Sequence, residues 1–171
     1  MTSKIITISI ALFFLQSCKN EKTYSSVDEV NWRNRMVKAK LQDSLIQGQT
    51  YLSVYSAIYS ETEHRLHSLT ATVSIRNINV SDTIYIDKAV YYDTHGNAIR
   101  TYFKNTIYVA PMETVEIVID EHDKEGGSGA NFLFDWKVKP DSSLPFFESV
   151  MISTSGQQGI SFTTQGKEIQ R

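Results

Sequence analysis

Residues 69–76 read LTATVSIR, with Leu69, Ala71, Val73 and Ile75 alternating against Thr70, Thr72, Ser74 and Arg76. Successive side chains of an extended chain point to opposite faces, so this spacing predicts a β-strand with one face buried and one in water. The period of two recurs on both sides of it. It is seen in Leu52, Val54 and Ile58; in Ile84, Ile86, Val90 and Tyr92; and in Val115, Ile117 and Ile119. It continues in Phe132, Phe134, Trp136 and Val138, in Val150 and Ile152, and in Ile160 and Phe162. Turn-forming stretches separate these runs, among them Asn77 to Asp82, Asp93 to Asn97 around Gly96, Glu125 to Ala130, and Ser155 to Gly159. Seven to eight short strands with no helix between them predict an all-β domain, an antiparallel sandwich over residues 49–171.

Composition bounds the rest. A chain of 171 residues with 41% hydrophobic and 21% charged side chains has the make-up of one globular domain. Seventeen basic and nineteen acidic side chains give a net charge of -2, which removes the electrostatic case for nucleic acid as a partner. The single cysteine, Cys18, cannot form an intrachain disulfide, and it excludes zinc sites that need two or more thiolates. No catalytic residue and no cofactor is expected.

The N-terminus has the anatomy of an export signal over residues 1–17. Lys4 is followed by an apolar stretch of eleven residues, Ile5 to Leu15, broken only by Thr7 and Ser9, and then Gln16, Ser17 and Cys18. Eleven helical residues rise about 16 Å, half the thickness of a hydrocarbon core, which suits a cleaved signal better than a permanent span. The string LQSC resembles the lipobox of bacterial lipoproteins. That resemblance implies acylation of Cys18, including an amide-linked chain such as palmitate. It also implies an envelope location, at the outer membrane facing the periplasm or at the cell surface, with the membrane as a partner through Cys18. Loss of Lys4 with the signal leaves 16 basic and 19 acidic residues, net -3.

Residues 18–26 read as a polar tether. Ser26 and Glu29 fit a capping box, and Val30, Val37, Leu41 and Leu45 recur at helical spacing, so an amphipathic helix is expected over 27–48 with Gly48 as its stop. Such a helix is either a docking element for a partner or the bilayer face, or a spacer packed on its own domain.

Candidate chemistry gathers in the loops. Gly126, Gly127, Ser128, Gly129 and Asn131 form a glycine-rich stretch whose backbone N–H groups are candidates to cradle an anion or a ligand carboxylate; the competing reading is a tight turn under a neighbouring strand. Gln157 and Gln158 make a second polar turn. If both lie at one end of the sandwich, they form a recognition surface for a glycan, a peptide or another envelope protein. GGSGA lacks the last glycine of a nucleophile elbow and precedes a strand, so Ser128 is not expected to be a nucleophile. Asp120, Asp123 and Glu125 are weak metal candidates, because the EF-hand register from Glu121 places Phe132 where a chelating carboxylate is required. No tight divalent metal is expected. His64 and His67 fall on opposite faces of a strand, and Asp93, His95 and Asn97 read as turn residues. The alternative to a binding module is an envelope hydrolase or glycan-active enzyme using scattered carboxylates such as Asp93, Asp123 and Asp135.

Two resemblances bear on the domain. The segment ATVSIRNINVSDTIYIDKAVYYDTHGNAI resembles the immunoglobulin-like modules of exported bacterial proteins, which implies an immunoglobulin-like sandwich. From Tyr51 to Ile169, the strings YLSVYSAIY, LTATVSIRN, YYDTHG, GGSGANF followed by Asp135 and Trp136, ESVMI and GQQGISFTTQG look like the bacterial exported family called domain of unknown function 3124. That likeness implies an exported module and no assigned activity.

Overall fold

The computed structural model describes residues 30–41, 44–155 and 159–169. Among them are one helical turn, α1 (Val30–Arg33), and twelve strands. In chain order these are β1 (Ile46–Ser53), β2 (Ala57–Ser60), β3 (Thr62–Ser68), β4 (Thr70–Arg76), β5 (Ile84–Tyr92) and β6 (Ala98–Thr101). There follow β7 (Ile107–Val109), β8 (Thr114–Ile119), β9 (Asn131–Val138), β10 (Phe146–Ser153), β11 (Ile160–Gln165) and β12 (Lys167–Ile169). One sheet runs in the order β12-β1-β9-β5-β6, with β7 also pairing β5; a second runs β11-β10-β4-β8; β2 and β3 form a separate hairpin. Every pairing is antiparallel. The result is the all-β, sandwich-like pair of sheets that the alternation predicts, with more and shorter strands than the seven to eight expected.

The core lies between the sheets. Leu69 just before β4 and Ala71, Val73 and Ile75 within it have no solvent exposure, nor do Phe132, Phe134 and Val138 of β9. Aromatic rings cross the interior in a stack: Tyr91 on Phe132 at 4.9 Å, Phe132 on Phe134 at 5.4 Å, and Phe134 on Phe147 of the other sheet at 4.4 Å. Such contacts add about 0.5–1.5 kcal/mol each beyond the area they bury. Trp136 is also buried, and its indole Nε1–H donates to Thr50 Oγ1 at 2.9 Å.

Asn77 and Asn79 close the sandwich at the end where β4 finishes. The Asn77 amide donates to the carbonyls of Asp82, Val109 and Ala110, and its own oxygen accepts from the backbone and side chain of Asn79. Asn79 in turn exchanges hydrogen bonds with Ser143. The carbonyls of Asp82, Val109, Ala110 and Ser143, from three segments, are thereby satisfied.

Several sequence expectations are corrected. The alternation from Ile84 to Tyr92 does not keep one phase. The β5–β9 register shifts between Ile86 and Lys88, so Ala89 and Tyr91 join the core while Val90 and Tyr92 turn to the other face. In β10 the buried row is Phe147, Ser149, Met151 and Ser153, and Ile152 is exposed; polar Ser149 and Ser153 on the inner face disguise the row. Ile160 of β11 is likewise exposed, whereas Phe162 packs edge-on against Tyr55.

The helix expected over 27–48 is a single turn in the described part. After a turn at Asn34 and Arg35 the chain docks on the outer edge of β7: Tyr108 N–H donates to the Arg35 carbonyl, Val37 N–H donates to that of Thr106, and Met36 bridges Ile107. Unpaired groups on the strand edge satisfy this backbone in place of helical hydrogen bonds. The apolar anchor is Trp32, nearly fully buried against Phe103 at 5.2 Å, and it lies off the Val30, Val37, Leu41 and Leu45 stripe. Gly48 is no helix stop. It sits inside β1 opposite Trp136, and any Cβ there would overlap the indole ring. The signal, tether and Cys18 lie outside the described residues, as do Gln157 and Gln158.

Candidate functional site

The glycine loop and the described residues that follow β10, Thr154 and Ser155, lie at one end of the sandwich. Ser53 of β1 and Tyr92 of β5 both pair with Asn131 at the start of β9, while Ile152 near the end of β10 pairs with Thr70 at the start of β4. Leu69 N–H donates to the Ser56 carbonyl at 2.9 Å, and Ser56 binds the glycine loop, so that end of both sheets is joined through residues 54–56. The β2–β3 hairpin stands over it. His67 of β3 shares hydrogen bonds with Ser153 Oγ at 2.7 Å and Ser155 Oγ at 3.2 Å, tying the hairpin to the turn after β10.

The glycine loop itself folds inward. Gly127–Gly129 form one 3-10 turn, and Gly126 before it is buried against the Tyr91 hydroxyl, where a Cβ would collide with that oxygen. Thr94 holds the loop from the next turn: its Oγ1–H donates to the Gly126 carbonyl at 3.0 Å, and Oγ1 accepts from Gly129 N–H at 2.9 Å. Ser56 Oγ donates to the Gly127 carbonyl at 3.0 Å. The loop's Gly129 amide is therefore directed to Thr94 rather than to solvent, which removes one donor from any anion cradle. Asn131 begins β9, paired in the sheet on both sides.

The acidic run before the loop is built around a residue that the sequence did not single out, Arg100 of β6. Its guanidinium donates to Asp123 at 2.9 Å, Glu125 at 2.7 Å and the Tyr102 hydroxyl at 3.2 Å. The same group lies 5.9 and 6.0 Å from the ring centres of Tyr91 and Tyr102, within cation–π range. The Asp123 side chain is 4% exposed and that of Glu125 is 62% exposed, so one partner is structural and the other solvent-facing. Removing one member of so buried a pair typically costs about 3–5 kcal/mol. The Arg100 guanidinium is held protonated more firmly than usual by Asp123 and Tyr102, which outweigh its burial. Burial pushes the Tyr102 phenol up to about 12, against the pull of Arg100. Burial raises Tyr91 further; the Ser56 hydroxyl nearby opposes that rise but gives its own proton to Gly127, and the Tyr91 hydroxyl finds no partner of good geometry.

Other candidates also have structural employment. Asp120 accepts from the backbone and ring of His122, first the backbone, and its carboxyl is held below the usual range. With Asp123 and Glu125 turned to Arg100, the acidic run is an ion-pair cluster in shape; among the described residues no group of three or more His, Cys, Asp or Glu is arranged to hold a metal ion. Asp93 accepts from the Asn97 side chain, the Asn97 amide and the His95 amide, and Gly96 takes φ +81°, the turn that the sequence spacing indicates. Those bonds, led by Asn97, hold the Asp93 carboxyl below the ordinary carboxylate range. Asp135 of β9 accepts from the Gln49 side chain across the β1 pairing. His64 and His67 are not brought together as ligands: His64 is exposed beside Glu63, and His67 faces the serines.

This is a structural class, an all-β module whose loop end is fastened by side-chain to backbone bonds. The sequence model for the Protein of unknown function (DUF3124) family matches residues 47–169, most of the 171-residue chain, and the protein belongs to that family. The match begins at β1 and ends with β12, so the docked segment carrying Trp32 precedes it. Among curated proteins none matches. A solved structure with a related outline is the crystal structure of Thermotoga maritima 1070, at 7% identity and a TM-score of 0.45, covering 70% of this chain and 92% of that one.

Proposed function

We propose that the protein is a lipid-anchored bacterial envelope lipoprotein whose immunoglobulin-like sandwich serves as a non-catalytic binding or scaffolding module. One observation carries the anchor: the chain's single cysteine closes the lipobox-like string LQSC at the end of a largely apolar stretch. Diacylation plus an amide-linked chain holds a protein at a membrane far more firmly than one acyl group does. The binding role is favoured over hydrolysis by what the carboxylates do. Asp93 closes a turn, Asp123 neutralises Arg100, and Asp135 joins β9 to β1, so each has a partner that a general acid or base would have to abandon. Recognition falls to the loop end, through Asn131 and the half-buried glycine loop, with Gln157 and Gln158 as candidates from their sequence alone.

Fractionation of cells carrying the Cys18→Ala variant tests the anchor. The variant is expected in the aqueous fraction with the thermal midpoint of the domain unchanged. Membrane association equal to that of the parent would sink the reading.

A further inference from the structure

Residues 30–41 contain Arg33, Arg35, Lys38 and Lys40 and no acidic residue, on a mature chain whose net charge is negative. The segment is a strap pinned along β7 by Trp32 and Met36. Its charges are not equivalent. Arg35 is paired with Glu113 at 2.8 Å, and Lys137 nearby is paired with Asp87 at 2.7 Å, which also accepts from Thr106. Lys40 is engaged as well. Arg33, Lys38 and neighbouring Lys104 in the β6–β7 connection are exposed and have no acidic partner among the described residues. Beside them opens a shallow cleft of about 450 Å³ lined in part by Val37, Leu41, Gln47, Asn105 and Thr106.

The position of this patch along the chain matters. Cys18 and Val30 are twelve residues apart, a reach of at most about 40 Å, so the strap is the described segment nearest in sequence to the anchor. Charge attraction to a lipid surface fades over about a Debye length, 8–10 Å, and therefore acts only when the strap lies against the headgroups. A basic strap on an acidic body makes that pose selective.

We propose that the strap edge, through Arg33, Lys38 and Lys104, is the face that the anchored domain lays on anionic phospholipid headgroups. The opposite extremity, with the β2–β3 hairpin and the loop end, is thereby presented away from the bilayer. This rests on the reading of Cys18 as the anchor. It adds an orientation that the anchor alone does not impose.

The test uses the mature lipidated chain in vesicles of phosphatidylglycerol with phosphatidylethanolamine, and in vesicles of phosphatidylcholine alone. A dye is placed on a single introduced thiol, either Asn34→Cys on the strap or Glu63→Cys on the hairpin, and energy transfer to a headgroup-labelled lipid is read. In anionic vesicles the strap label is expected to transfer about twofold or more above the hairpin label, with the excess lost in phosphatidylcholine, in high salt, and in the combined Arg33→Glu, Lys38→Glu and Lys104→Glu variant. Vesicle association with equal transfer from both positions, whatever the lipid charge, overturns the orientation and leaves the anchor standing. Failure of the lipidated preparation to associate with either vesicle overturns both. Circular dichroism of the triple variant separates lost orientation from lost fold, and a strap preference that survives charge reversal in a folded variant contradicts the proposal.

Discussion

The Tyr91 hydroxyl is a buried polar group without a hydrogen-bond partner of good geometry, pressed against the one glycine that could admit it. An unmet buried donor costs about 1–3 kcal/mol, so the ring must be retained for its stacking on Phe132 and its place over Arg100. Tyr91→Phe keeps both contacts and removes the unmet group. Its free energy of unfolding in urea is expected to equal or exceed that of the parent by up to about 1–2 kcal/mol. A loss of comparable size would mean that the hydroxyl is held by an interaction not accounted for. At this scale little was legible beforehand. Arg100 stands 23 and 25 positions from its carboxylates, and Gly48 is 88 positions from the indole that needs its missing side chain, so no linear spacing announces either. The Asp93 turn was legible because every partner lies within four residues.

Elements were readable where burial and polarity agree. β4, β8 and β9 each bury the apolar row that the sequence marks. β10 misleads because serines occupy two inner positions: Ser149 donates to the Met151 sulfur, and Ser153 meets His67. β5 misleads because its register slips at Asp87, and a slip of one residue moves every later side chain to the other face. The corrected phase of β10 has a direct check in thermal or chemical unfolding. Met151→Ala is expected to cost about 2–5 kcal/mol, as for other buried side chains, while Ile152→Ala costs under about 1 kcal/mol. The reverse ranking would restore the phase read from Val150 and Ile152. The strap was misread for a related reason: its basic residues and apolar spacing suit a helix, but the open edge of β7 offers backbone partners that are visible only once the sheet is assembled.

For the whole molecule, the raised Tyr102 phenol gives a pH signature. A phenol that ionises near 10 when unfolded and at about 12 when folded leaves the native state holding a proton that the unfolded state has lost. The sign follows from linkage: stability is complete below pH 10 and declines between about 10 and 12, by about 2–3 kcal/mol from this group. Urea unfolding across that range, followed with the phenolate absorbance, checks it; a flat profile up to pH 12 would contradict the burial of Tyr102. The architecture was legible as a whole because hydrophobic alternation is a local property repeated along the chain. The function was not, because a binding surface of the kind proposed leaves no spacing rule, and the proposed anchor rests on a short string ahead of the fold.

The central claim is that this sandwich is held at a membrane by Cys18. Intact mass spectrometry of the protein extracted from its own envelope tests that most directly. The account predicts a chain beginning at residue 18 that carries a diacylglycerol thioether and an N-linked acyl group. A chain that retains residues 1–17, or one with an unmodified Cys18 recovered from aqueous extract, would contradict it.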